Sequence, residues 1–433
     1  MTAPARELLP AGLLYAALLL LLYVATGITP AYDGRGHDGR FYTAMARDEI
    51  RSEPFIPIAP YCYRLLTPAL VSQLPGPVVR RFRVLDLIVW IAALLAWHLL
   101  ARRTGLSPGQ STFGGLILAS CAWGPMSSFY NPCYVDPLMY LFIFIGLNLI
   151  LSGRTVWLAV LLGVAMLQRE QCAILWVCAL VNDMQTHGRS KRLVVRYGAM
   201  LAMCAAVYVA IRWAVPPIET TTPSPPLVAA AVVRWLLTDP GYLLKSALGI
   251  LYALGLPLLG FVILPGARRY VRAHRWAGFY LILAGLSVLG GSDKARLVFL
   301  AQPVLILAFL HGLGPRLGAM RLRIPAVVIL LVHVYFQFPP SLMVVNGRLA
   351  APLVDSMERG THGANIYEPG QFPLSMAAVT LHVTLCLALS AIMLLAWRRE
   401  RRRCTVAMPN SPGSMPPSAV SLRKPLQSDG LSG

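Results

Sequence analysis

The chain has 433 residues, of which 57% are hydrophobic and only 13% are charged, and its mean hydropathy is +0.62. Soluble domains carry about 25% charged residues, so this composition excludes an ordinary soluble domain and places the chain in a membrane. The formal net charge is +20, but the arginines fall in short clusters between hydrophobic runs. Positive-inside topology produces such clusters, so we expect membrane lipids as partners and no nucleic acid.

Hydrophobic runs divide the chain into candidate transmembrane helices, since a helix needs about 20 apolar residues to cross a bilayer. The runs are 9–28, 84–100, 111–126, 138–151, 155–167, 172–181, 197–215, 243–264, 276–289, 297–313, 324–338 and 375–397. They predict an all-α polytopic membrane protein with about 11–12 transmembrane helices. The basic clusters place both termini in the cytoplasm. We expect residues 1–397 to form the transmembrane domain and 398–433, which are basic and rich in Pro and Ser, to be a disordered tail.

The segment 155–181 has two interpretations, because Gln168, Arg169 and Glu170 interrupt its apolar residues. A single helix would bury an Arg-Glu pair at the bilayer centre and would place the following basic cluster outside. Two short helices that turn back at the outer boundary avoid both costs, and we favour them. Arg169 and Glu170 then either pair with each other or face an external cavity.

The long external loop at 29–82 begins with a group of charged, aromatic and glycine residues. Asp38 lies in the run His-Asp-Gly-Arg-Phe-Tyr, and a carboxylate there could act as a general base toward a hydroxyl. The alternative is an Asx-type turn in which Gly39 adopts a positive φ. Asp33 has the same Asp-Gly-Arg context and competes for the role of base. The aromatic residues Phe41 and Tyr42 make us prefer Asp38.

The end of this loop contains Tyr63 and Arg64, followed by an amphipathic stretch to about residue 74. The stretch predicts a short helix on the membrane surface. A guanidinium meets a phosphate with two parallel hydrogen bonds, so Arg64 is a candidate for a lipid phosphate. Snorkelling of Arg64 to headgroups is the alternative, and the sequence somewhat favours it.

Two further acids lie at the outer ends of predicted spans. Asp136 precedes Pro137, which is a good pair for the N-cap and first position of a helix, and we favour capping over catalysis there without excluding either. Asp293 and Arg296 precede a later span and are either a helix cap with an interfacial anchor or a phosphate clamp. The topology allows Asp38, Asp136 and Arg296 to meet in one external cavity.

Several classes of site lack support in the sequence. The 8 cysteines have no metal-binding spacing, and no cluster of His, Cys and carboxylate residues indicates a bound metal. There is no Walker loop and no Rossmann fingerprint, so no cofactor is expected. Cys62 and Cys133 are both external under this topology and could form a disulfide, but nothing in the sequence places them together.

The first external loop contains Asp38-Gly39-Arg40-Phe41-Tyr42 after the first span, and then Tyr63-Arg64 with Pro68 downstream. This order of motifs resembles bacterial polytopic proteins of the GT-C glycosyltransferase superfamily. The Arg169-Glu170 element and residues 291–297 resemble later landmarks of the same uncharacterised group. The doubled Asp-Gly-Arg and His37 depart from the pattern, which leaves open whether Asp33 or Asp38 is equivalent to the family's acid.

The resemblance implies an inverting transferase of the bacterial inner membrane that uses a polyprenyl-phosphate-linked sugar and a glycan, lipid or protein acceptor. Asp38 and Asp136 take the catalytic positions, and Arg64 and Arg296 are the candidates for the lipid phosphate. The remaining residues expected to bind substrate are Asp33, Arg40, Tyr42, Tyr63, Arg169, Glu170 and Asp293. A lipid or solute transporter, a flippase and a non-catalytic membrane scaffold are the alternatives.

Overall fold

The computed structural model of the protein describes residues 3–28, 33, 35, 38–46, 57–220, 225–290, 294–314, 323–337, 344–345, 348–349, 384–395 and 398. Nearly all of the predicted tail at 398–433 lies outside these residues, as do Asp293 and most of the polar loop at 339–373.

The described residues are almost entirely helical, which confirms the predicted all-α class. The α-helices are α1 (Ala3–Ala25), α2 (Gly39–Ala46), α3 (Leu66–Ser72), α4 (Val78–Arg103), α5 (Pro108–Ala119), α6 (Ser127–Tyr130), α7 (Asp136–Leu151), α8 (Thr155–Ala165), α9 (Ile174–His187), α10 (Lys191–Ala214), α11 (Pro225–Thr238), α12 (Pro240–Ile263), α13 (Pro265–Ala273), α14 (Arg275–Leu286), α15 (Lys294–Val298), α16 (Gln302–Leu313), α17 (Arg323–Gln337) and α18 (Thr384–Leu395). Short 3-10 turns cover Tyr61–Tyr63, Glu170–Ala173, Ser287–Gly290 and Phe299–Ala301.

Two pairs of two-residue strands complete the described elements. Strand β1 (Ile58–Ala59) pairs in parallel with β2 (Glu219–Thr220), and β3 (Val344–Val345) pairs antiparallel with β4 (Arg348–Leu349). The β1–β2 pair ties the first long loop to the Pro-rich segment after α10.

Among the described residues, four helical stretches are long and apolar enough to cross a membrane: Glu7–Ala25, Val78–Arg103, Lys191–Ala214 and Arg296–Leu313. A fifth is counted if Ala253–Ile263 and Pro265–Ala273, which meet at 91°, form one broken span. The protein is therefore a multi-pass helical membrane protein. The predicted number of 11–12 crossings stays a prediction, because several other apolar helices are only 10–17 residues long.

Helices α1 and α4 are antiparallel, and polar contacts join them at both ends. At one end Arg83 donates to the backbone carbonyls of Tyr23 and Thr26, and at the other Arg102 pairs with Glu7 at 3.1 Å. The two arginines are 19 positions apart (83 to 102), and at a rise of about 1.5 Å per residue this is about 28 Å along α4. That length matches the hydrocarbon core of a bilayer, about 30 Å thick.

The main hydrophobic core lies around α4, which packs most extensively on α7 and also contacts α1 and α5. Trp90 and Trp97 of α4 are fully buried in it. A second, smaller core lies under the first long loop and contains Tyr42, Ala46, Val71, Phe82, Cys133 and Val135. This small core attaches α2 and α3 to the start of α4 and to the segment that precedes α7.

Two predicted segments and one helix that was not predicted are informative. The segment 155–181 forms two helices, α8 and α9, with a turn at 166–173, as favoured above. The run 111–126 is not one helix: α5 ends at Ala119, and Gly124 and Pro125 introduce an irregular turn. Proline has no amide hydrogen and cannot continue the helical hydrogen bonds. Helix α11 was missed, although Pro225 at its start suits a first helical position.

Candidate active site

Charged side chains from five separate segments meet at one end of the helix bundle. Asp38 precedes α2, Asp136 is the first residue of α7, and Arg296 lies in α15. Arg64 lies between the 3-10 turn Tyr61–Tyr63 and α3, and Arg169 lies just after α8. We call these five residues with Glu170 the ionic cluster. Their convergence is a tertiary fact, since Asp38 and Arg296 are 258 positions apart in the chain.

Arg296 connects the two aspartates of the ionic cluster. Its Nη1 lies 3.1 Å from Oδ2 of Asp38, and its Nε lies 2.6 Å from Oδ2 of Asp136. The guanidinium also stacks over the ring of Tyr134, with the Cζ atom 4.2 Å from the ring centroid. Arg296 therefore holds both carboxylates while its own guanidinium rests on an aromatic ring.

Asp136 does not cap α7, contrary to the favoured interpretation. The helix begins at Asp136 itself, and the residue in the N-cap position is Val135, which makes no capping hydrogen bond through its side chain. One carboxylate oxygen of Asp136 accepts from Arg296 and the other contacts Arg169. The full positive charge of each guanidinium attracts the carboxylate more strongly than the partial charge of a backbone N–H group does.

Arg169 and Glu170 take different partners rather than pairing with each other. Arg169 contacts Asp136, whereas the carboxylate of Glu170 lies 3.7 Å from Nη2 of Arg64. Nη1 of Arg64 donates to the Tyr42 hydroxyl at 2.7 Å. Arg64 is buried, so it does not snorkel into solvent in this structure.

The environment of Asp38 keeps its carboxylate ionised. Burial alone would raise the pKa of Asp38, but the adjacent charge and hydrogen bond of Arg296, with Arg64 further away, bring it below its ordinary value. The Tyr61 hydroxyl also donates to Asp38 at 3.2 Å. Burial and the charge of Asp38 raise the pKa of Tyr61, which therefore remains a neutral donor. The Tyr61 ring stacks on Phe41 with centroids 4.4 Å apart.

Gly39 is required by close packing rather than by a turn. It starts α2 and is absent from the described glycines with positive φ, so the alternative of an Asx-type turn with Gly39 at positive φ is wrong. A Cβ atom at position 39 would lie 2.5 Å from the Cβ of Cys133 and 3.2 Å from its carbonyl oxygen. This contact seats Asp38 against the segment that carries Asp136. Cys62 and Cys133 are both buried and free, so the possible disulfide is absent.

Gln168 is a component of the site that the sequence interpretation left without a role. It is fully buried, and its carbonyl oxygen accepts from the backbone amide and the hydroxyl of Thr67 at 3.1 and 2.9 Å. Its amide nitrogen donates to the carbonyl of Val135. These contacts join the segments that carry Arg64, Asp136 and Arg169. The only available signal was a polar residue between two apolar runs.

The structure does not bring all the predicted residues into the cluster. Asp33 is exposed in the left-handed region with φ of 56°, and no described contact links it to the ionic cluster. Arg40 is exposed and lies over the ring of Phe41. Tyr63 instead contacts Arg212 of α10, whose Cζ is 4.3 Å from the ring centroid. Asp293 lies outside the described residues.

The ionic cluster holds three guanidinium groups and three carboxylates, so it is close to neutral as it stands. Within the part of the chain that the structure describes, no group of three His, Cys, Asp or Glu residues could hold a metal ion. The arginines can bind an anion, and the ionised carboxylate beside them can accept a proton from a neighbouring hydroxyl. This is chemistry that suits transfer of a group from a phosphate.

The likeness of the chain to known proteins lies in its structure rather than in its sequence. No protein-family model matches the chain, and no curated protein matches its sequence. Among solved structures, the chain is similar to the Archaeoglobus fulgidus oligosaccharyltransferase tethered through a disulfide to an acceptor peptide, with a TM-score of 0.42 and 12% identity. The likeness covers 90% of this chain and 55% of that protein.

Proposed function

We propose that the protein is a membrane glycosyltransferase that moves a sugar from a polyprenyl-phosphate donor to an acceptor hydroxyl. The observation that carries this proposal is the ionic cluster, in which Asp38 and Asp136 are joined by Arg296 at one end of a largely apolar bundle. Charged residues within a membrane protein are costly and concentrate at functional sites. By the positive-inside pattern of the sequence, this end faces outward across a bacterial inner membrane.

In the proposed reaction, the acceptor oxygen forms a bond to the anomeric carbon while the bond from that carbon to the phosphate oxygen breaks. Attack from the opposite face inverts the configuration. The acceptor proton passes to Asp38, and the electron pair leaves with the polyprenyl phosphate. Arg64 and Arg296 stabilise the charge that develops on the leaving phosphate, an effect worth about 3–4 kcal/mol for one well-placed donor.

The low pKa of Asp38 decides when the proton moves. A carboxylate held below its ordinary pKa is ionised at neutral pH but is a weak base. Proton transfer therefore comes late, after the acceptor oxygen has begun to bond to carbon and its proton has become acidic. When the donor phosphate draws Arg296 toward it, Asp38 loses part of its stabilisation and becomes a stronger base.

The test is a transfer assay in proteoliposomes with a panel of synthetic polyprenyl-phosphate sugars, each labelled in the sugar. We expect one donor to be consumed and Asp38→Asn to lower the rate by about 10²–10⁴-fold, as for loss of a general base. Asp33→Asn is the matched control, because Asp33 lies in the same loop but is exposed outside the cluster. It should retain the wild-type rate.

An unchanged rate in Asp38→Asn, with a wild-type melting temperature, would refute the assignment of the base. Movement of an intact labelled donor between leaflets without sugar transfer would favour a flippase instead. In that case the glycosyltransferase proposal falls, since the cluster would then bind the phosphate without chemistry.

A further inference from the structure

Glu170 has an unusual position for a member of a buried ionic cluster. It is the first residue of the turn Glu170–Ala173, and its side chain is 44% exposed, whereas that of its partner Arg64 is 11% exposed. Their closest atoms are 3.7 Å apart. Charge-assisted hydrogen bonds are usually about 2.7–2.9 Å long, so this is a loose ion pair at the solvent edge of the cluster.

Arg64 is the cation of the cluster whose nearest carboxylate lies furthest away. Both aspartates are engaged by Arg296 or Arg169, and neither contacts Arg64. In the described part of the chain, its Nη1 donates to the neutral hydroxyl of Tyr42 and its Nε has no hydrogen-bond partner. The loose contact with Glu170 leaves the planar fork of Arg64 able to take a pair of phosphate oxygens.

We propose that the Glu170 carboxylate is a stand-in for the phosphate of the lipid substrate. It holds Arg64 while the site is empty, and a lipid-linked phosphate displaces it toward solvent and takes its place on the guanidinium. The class of ligand rests on the proposed function, but the exchange of one anion for another does not require sugar transfer. No bond is made or broken in this step.

The surroundings provide a second partner for the displaced carboxylate. Partial loss of hydration alone would raise the pKa of Glu170, but Arg64, Arg169 and Arg212 bring it below its ordinary value, so it is an anion at neutral pH. Arg212 stacks on Tyr63 and on Tyr208 at the outer end of α10 and is partly exposed. Glu170 can therefore leave Arg64 and remain near a cation.

The stand-in and a merely structural ion pair predict opposite changes in phosphate affinity when Glu170 is removed. If Glu170 serves only to position Arg64, its removal loosens the arginine and weakens the binding of a phosphate. If it occupies the phosphate position, its removal abolishes a competitor and strengthens binding. For a partly exposed ion pair worth about 0.2–1 kcal/mol, the dissociation constant should fall by about 1.4- to 5-fold.

The experiment measures binding of farnesyl phosphate to the purified full-length protein in detergent by isothermal titration calorimetry. Glu170→Gln should bind more tightly than wild type, and Glu170→Ala should do the same if the Gln variant folds poorly. Glu7→Gln is the matched control, since Glu7 forms a similarly exposed pair with Arg102 at the opposite end of the bundle. It should leave the dissociation constant unchanged.

Two further ligands identify what the site recognises. Farnesol lacks the phosphate, so its affinity should be no higher for Glu170→Gln than for wild type. Inorganic phosphate lacks the lipid chain and should bind far more weakly than farnesyl phosphate. Equal or weaker binding of farnesyl phosphate in both Glu170 variants would overturn the proposal, as would the same gain in Glu7→Gln. Inorganic phosphate binding as tightly as farnesyl phosphate would overturn the lipid assignment.

The outcomes separate this inference from the proposed function. Tighter binding in the Glu170 variants without any sugar transfer by the wild type supports the stand-in and refutes the transferase. If the wild type transfers sugar but the Glu170 variants bind farnesyl phosphate no more tightly than wild type, the stand-in is refuted and the transferase is not.

Discussion

Substitution of Gly39 by alanine tests whether close packing of α2 positions the two aspartates. The added Cβ would lie 2.5 Å from the Cβ of Cys133. Carbon atoms pack at about 3.5–4.0 Å, so α2 and the segment before α7 must separate by about 1 Å. Overpacking of this kind costs about 1–3 kcal/mol of folding free energy. The same shift moves Asp38 relative to Asp136, and a displacement of about 1 Å can lower a rate by about 10²-fold.

The contact is between two Cβ atoms, which gives a sharp rescue experiment. Gly39→Ala combined with Cys133→Gly should recover part of the melting temperature and of the transfer rate, because the atom at 2.5 Å is removed while the Cys133 carbonyl oxygen stays 3.2 Å from the added Cβ. Gly39→Ala combined with Cys133→Ala keeps that Cβ and should not recover. Gly109→Ala in α5 is the control, since a Cβ there meets nothing within 4 Å. Equal effects of Cys133→Gly and Cys133→Ala on the Gly39→Ala protein would refute the reasoning.

Two other predictions concern the stability of the site. Gln168→Leu leaves buried polar groups of Thr67 and Val135 without a partner. Each such group should lower the free energy of unfolding by about 1–3 kcal/mol. A denaturant titration in detergent would measure the loss. The pKa of Asp38 is lowered on folding, so its ion pair stabilises the protein fully above about pH 4 and the contribution is lost as the pH falls through the lowered pKa. Asp38→Asn should therefore show a smaller loss of melting temperature between neutral and acidic pH than wild type. An unchanged free energy of unfolding in Gln168→Leu would contradict the hydrogen bonds of Gln168. A wild-type loss of melting temperature on acidification of Asp38→Asn would contradict the ion pair of Asp38.

The amino-acid sequence alone determined the environment and much of the local structure of this protein. Apolar runs specify membrane helices, because only a helix satisfies its backbone groups within hydrocarbon. The interruption at Arg169 and Glu170 correctly predicted two helices, since a charged pair at the bilayer centre would be costly. The order of acids and arginines at the ends of runs also indicated which side chains could meet.

Tertiary structure decided which of those side chains do meet and what each one contacts. Asp136 suits a helix cap by its neighbour Pro137, but two arginines from distant segments take its oxygens instead. The role of Gly39 depends on Cys133, nearly a hundred positions away in the chain, and local turn chemistry therefore pointed to the wrong reason for a glycine. Such contacts depend on helix packing, which the pattern of a single segment does not encode.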